Sequence, residues 1–125
     1  MRKPANFLVS VIFPFIFTIA FPYDDQVPRE KLLEETLISS YLPVLNQVLD
    51  QPFMCEHITA IERVGGSNRK HELTIEVVTF KGAHNPPSDL VIIHLVDTPL
   101  GGIKVMKVNQ RKNLPHEEII TLCKK

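Results

Sequence analysis

The chain has no tryptophan, two cysteines and five glycines in 125 residues, and its charges cancel at 14 basic and 14 acidic. Each scarcity excludes something. Five glycines leave no phosphate-cradling glycine loop, and Gly65-Gly66 and Gly101-Gly102 read as turn glycines. Two cysteines without Cys-x-x-Cys spacing form no zinc knuckle, and none of His57, His71, His84, His94 and His116 stands in a His-x-x-x-His pair. No metal site and no cofactor are therefore expected. There is no Gly-x-Ser-x-Gly elbow. No long basic run exists: Arg69-Lys70, Arg111-Lys112 and Lys124-Lys125 are short clusters. Nucleic-acid affinity needs a basic surface that neutralises phosphates, so that partner is excluded.

One long apolar run is present, and it lies at the start. Arg2 and Lys3 are followed by an almost wholly apolar stretch from Phe7 to Phe21, and Thr18-Ile19-Ala20 offers small residues for cleavage. That is the layout of a secretory signal, expected over residues 1–20. A spanning helix needs ~20 apolar residues; this run is shorter and holds Pro14. The membrane is then a partner only through an uncleaved leader. Export also sets the redox context: Cys55 and Cys123 either pair or stay as half-buried thiols, and pairing outside the cytosol would tie the tail to the domain.

The remainder is long enough for one domain. Residues 21–27 (Phe-Pro-Tyr-Asp-Asp-Gln-Val) lack an apolar period and read as a flexible mature N-terminus. Pro28 to Asp50 is a helix pattern: Leu33, Leu37, Tyr41, Leu45 and Val48 recur every three or four residues, widened by Ile38, Leu42 and Leu49. Pro28 suits a first turn, and Pro43 predicts a kink or two helices meeting near Ser39 to Leu42. Strands follow. Ile58, Ala60 and Val64 alternate with Thr59, Ile61 and Arg63, then Gly65-Gly66-Ser67-Asn68 turns the chain. Leu73, Ile75 and Val77 alternate with Thr74 and Glu76, as in a half-buried strand. Leu90 to Val96 is nearly continuous apolar sequence, as in a central covered strand. Asp97 to Gly102 turns, and Ile103 and Val105 alternate with Lys104. The expected fold is α+β: an N-terminal helix packed on a four-stranded antiparallel meander, cystatin-like in architecture, over residues 28–112. A tail with a short helix from Pro115 to Cys123 occupies 113–125.

Lys81 to Ser88 (Lys-Gly-Ala-His-Asn-Pro-Pro-Ser) reads as a long hairpin loop. Two prolines and the residues before them bias it to extended geometry, so the segment is stiff. A stiff loop on a sheet is a place to hold a binding group. Gly82, His84, Asn85, Pro86 and Pro87 are the candidate binding residues, with His84 the titratable member. The competing account is that His84 and Asn85 only fix the turn. A cis proline is open here, trans being commoner. Cys55 with His57 also invites a thiol-nucleophile reading, set against the disulfide.

The string Phe80-Lys81-Gly82-Ala83-His84-Asn85-Pro86-Pro87, the apolar strand after it and Gly102-Ile103-Lys104-Val105 resemble domain-of-unknown-function family 3888, over about residues 30 to 112. The resemblance implies a small exported protein of spore-forming Gram-positive bacteria with this helix-then-strands order, and no assigned activity. Ser88-Asp89 depart from the family, which tends to an aromatic and a glycine there, and the tail beyond Lys112 looks like an addition. Two functions stay open. The first is a secreted or envelope-associated binding module for a protein, peptide or cell-wall ligand, not an enzyme. The alternative is a small hydrolase-like or metal-assisted enzyme centred on His84 with a carboxylate such as Asp89.

Overall fold

The computed structural model describes residues 26–66, 69–82 and 85–124. The expected signal peptide, most of the expected flexible N-terminus, Ser67, Asn68, His84 and Lys125 lie outside the described residues. Six elements follow in order: α1 (Arg29–Val48), β1 (Phe53–Val64), β2 (Lys70–Lys81), β3 (Asn85–Thr98), β4 (Gly102–Arg111) and α2 (His116–Cys123). The strands form one antiparallel sheet in sequence order, a meander with β1 and β4 at its edges. No helix among the described residues is long and apolar enough to cross a membrane.

Helix α1 starts after Pro28, whose carbonyl accepts from the Lys31 and Leu32 N–H groups at 3.1 and 3.2 Å. It ends where the Leu49 N–H closes on the Leu45 carbonyl at 2.9 Å. The expectation of two helices meeting near Pro43 is corrected: one helix of 20 residues runs through it. The missing bond falls on the exposed side of the helix, where Ser39 and Pro43 both lie. Ser39 and Ser40 hydroxyls bond back to the Glu35 and Leu37 carbonyls at 2.8 and 2.6 Å, an arrangement that bends helices without ending them. The apolar stripe is shorter than its sequence period. Ile38, Tyr41 and Leu45 are buried, but Leu33 is 57 % exposed.

Alternation along the strands builds two cores on opposite faces of the sheet. Leu73, Ile75 and Val77 on β2 with Val91, Ile93 and Leu95 on β3 meet Tyr41 and Leu45 of α1. The next side chain on β2, Val78, points the other way. With Leu90 it packs against Leu114 and Leu122 of the tail, flanked by Met54, Ile92 and Ile119. The tail is therefore not an appendage: it crosses the second face from the end of β4 toward β1. Both faces of that end of the sheet are covered, which explains why Leu90 to Ile93 is continuously apolar.

The loop expected over Lys81 to Ser88 is also corrected. Lys81 pairs with Asn85, and Asn85 to Ser88 belong to β3. The Pro86–Pro87 peptide bond is cis. Prolines are tolerated in this central strand because β4 ends opposite Leu90, leaving no ladder partner on that side for residues 85–89. Gly82 holds φ at 33° in the turn, and Gly65 and Gly66 hold 71° and 70° between β1 and β2.

Candidate binding site

Of the five candidate residues, Gly82, Asn85, Pro86 and Pro87 sit together at the exposed tip of the β2–β3 hairpin, and His84 lies between them outside the described residues. The Asn85 N–H closes the turn on the Gly82 carbonyl at 3.0 Å. Exposure stops sharply at Ser88, which is buried at 4 %. The tip projects past the end of β4 and is braced from below by the tail. The Leu114 N–H donates to the Ser88 carbonyl at 2.8 Å, and the Phe80 N–H donates to the Pro52 carbonyl at 3.1 Å. The prolines themselves donate nothing, so the outer edge of this segment offers carbonyls and apolar rings to whatever meets it.

Asp89, named above as a helper for His84, has other work. One carboxylate oxygen accepts from the Gln110 side-chain amide at 2.7 Å and the other from the Asn113 N–H at 3.0 Å. Asn113 takes a positive φ of 58° as the chain leaves β4. The carboxylate thus fixes the turn into the tail. The thiol-nucleophile reading falls. Cys55 and Cys123 form a disulfide with Cα atoms 4.9 Å apart, and no described cysteine is free. Among the described residues no group of three or more His, Cys, Asp or Glu is placed to hold a metal.

A clasp that the sequence did not announce surrounds that disulfide. β1 bulges between Met54 and His57, with Cys55 at φ 57°. His57 then reaches both helices: Nε2 lies 2.8 Å from the Leu122 carbonyl and Nδ1 lies 3.4 Å from Glu34 Oε1. The other Glu34 oxygen accepts the Ile58 N–H at 3.2 Å. An edge strand exposes unpaired N–H groups, and here a helix carboxylate satisfies one of them. The signal that could have found it is a glutamate in line with Ile38, Tyr41 and Leu45 on the inward face of α1, but which strand it meets depends on the bulge. A cleft of about 330 Å³ borders the clasp, lined by Lys31, Glu34, Ile38, Cys55, His57 and Cys123 among others.

A second concavity of about 330 Å³ lies on the α2 side of the sheet, where Ala60, Glu62, Glu72, Thr74, His94 and Met106 line its floor and rim. His94 is half-buried with Nδ1 3.1 Å from the Thr74 hydroxyl. Its ring is thus engaged with a neighbouring strand.

The fold and these sites define a small α+β domain, a helix on an antiparallel meander, closed at its C-terminal end by a disulfide. The chain belongs to the family described as protein of unknown function (DUF3888), whose model matches residues 31–112. That range covers α1 through β4 and stops before α2. No curated protein and no solved structure matches the chain.

Proposed function

We propose that this is an exported interaction domain of the bacterial envelope, of spore-forming Gram-positive origin, which binds a protein, peptide or cell-wall ligand through the β2–β3 hairpin tip. The observation that carries the reading is the tip itself. Gly82, Asn85, Pro86 and Pro87 are exposed together at the end of a rigid sheet, with Ser88 buried directly behind them. A group held so firmly loses little conformational freedom on binding, which favours affinity. A helix laid over a meander is also the element order of cystatin-like domains, and it fits a role in which loops present contacts and the sheet supplies stiffness. The Cys55–Cys123 bridge supports export, because disulfides persist outside the reducing cytosol. In this reading residues 1–20 are removed, 21–27 are a flexible lead, 28–112 form the domain and 113–125 its C-terminal cover.

Two measurements test it. Protein recovered from the culture medium should begin near residue 21; intact chain retained in the cytosol and starting at Met1 overturns export. Co-sedimentation with isolated cell walls, and cross-linking to co-exported proteins, should be strong for the natural chain. Both should fall at least tenfold for the double variant His84→Ala, Asn85→Ala at unchanged thermal stability. Equal retention of the two proteins removes the tip from the binding role.

A further inference from the structure

The C-terminal segment is fastened to the sheet in two different ways. At its start, the Asn113 and Leu114 N–H groups donate to Asp89 and to the Ser88 carbonyl, bonds that thiol chemistry leaves untouched. At its end, Cys123 closes α2 and is bonded to Cys55 in the β1 bulge, beside the His57 ring whose Nε2 lies 2.8 Å from the Leu122 carbonyl. Between them stand eight helical residues, too few to persist as a helix in water without tertiary support. Their inward side chains Ile119 and Leu122 cover Met54, Val78, Leu90 and Ile92. Cys123 is exposed, so an external thiol can reach its sulfur.

We infer that the Cys55–Cys123 bridge is a thiol-exchange site that latches α2 over the second apolar face, and that a dithiol reductant opens it. A thiolate of the reductant attacks the Cys123 sulfur and forms a mixed disulfide. The Cys55 sulfur leaves as a thiolate and takes a proton from water. The second thiol of the reductant then displaces Cys123, so two electrons pass to the protein and the reductant becomes a disulfide. Once unlatched, α2 swings away about Asn113 while Leu114 stays on Ser88, and the row Met54, Val78, Leu90 is uncovered. The inference does not depend on the hairpin-tip reading, since it concerns the opposite fastening of the tail.

Hydrogen exchange read by mass spectrometry tests it on the oxidised protein, before and after dithiothreitol, with alkylation to count thiols. The expected result is that amides of residues 117–123 lose protection at least tenfold. Amides of Leu73 to Val77 and Val91 to Leu95 keep theirs, and a hydrophobic dye gains fluorescence. The double variant Cys55→Ser, Cys123→Ser should show the open pattern without reductant. Persistence of α2 protection in reduced protein and in the double variant overturns the latch. So does loss of protection throughout the sheet, which would make the bridge a staple of the whole fold. A bridge that dithiothreitol leaves intact in the folded protein overturns it too.

Discussion

Tyr41 has the most constrained side chain in the first core. It is 2 % exposed, and its hydroxyl donates to Asp97 Oδ2 at 2.7 Å. Burial first, then the hydrogen bond and the charge of Asp97, push its pKa well above the ordinary phenol value. An unfolded tyrosine ionises near ~10, so the folded state holds this proton more tightly than the unfolded state does. The resulting stability is fully present below that pH and is lost as pH climbs beyond it toward the raised folded value. Tyr41→Phe should lower stability at neutral pH by about 1–3 kcal/mol, since it removes a bond to a charged group and leaves Asp97 half-buried without it. Denaturant titration measures that loss. Alkaline difference spectroscopy should show the natural chain ionising Tyr41 only as it unfolds, and the variant should lack that step. Neither partner was legible as a pair. Tyr41 belonged to the helix stripe and Asp97 to a turn 56 residues away, and only the crossing of α1 over β3 joins them.

Pro43 shows at the scale of an element how far sequence carries. The 3.6-residue period located α1 correctly, but the proline inside it argued for a break. The helix instead keeps one axis of hydrogen bonds around a gap that faces water. Pro43→Ala should therefore restore a bond and stabilise the domain by up to about 3 kcal/mol, seen as a higher melting temperature in circular dichroism. A lower melting temperature would mean that the proline sets a bend the core needs. The strands were easier where one face is buried. Alternation in β2 and the continuous run in β3 follow directly from what covers them. Legibility failed where position within the sheet matters more than residue type. Asn85-Pro86-Pro87 reads as loop because proline cannot join a ladder, yet β3 begins there because its neighbour β4 has already ended. The bulges at Met54/His57 and Ile58/Ala60 left no mark in the sequence, and they decide where Cys55 and His57 point. Leu33 was counted as core because its spacing fits, but it is exposed, and its neighbour Glu34 is the residue of that turn that meets β1.

In the whole molecule the two cores share their strands. Val77 and Val78 are chain neighbours that belong to opposite clusters, and Leu90 and Val91 repeat the arrangement on β3. With α2 held by the bridge, neither face of the oxidised protein loosens without the other, so it should unfold in one transition. The chain lacks tryptophan, so the near-ultraviolet tyrosine signal serves as the tertiary probe, and it should coincide with far-ultraviolet circular dichroism in urea. Leu122→Ala removes a side chain 9 % exposed from the second cluster. It should shift both curves together by about 2–3 kcal/mol. Two separated transitions would show that the tail-side cluster is an independent unit. The bridge joins residues 68 apart in the chain. Here the sequence offered two open alternatives, paired or free, and the path of the tail across the sheet is what brings the sulfurs together.

That path has a consequence for engineering. Lys31 in the first turns of α1 and Cys123 at the close of α2 border the same cleft, so the first and last elements meet at one corner. A circular permutant that joins them by a short glycine-serine bridge and opens new ends at Leu100, a fully solvated turn residue, should fold with its sheet order intact.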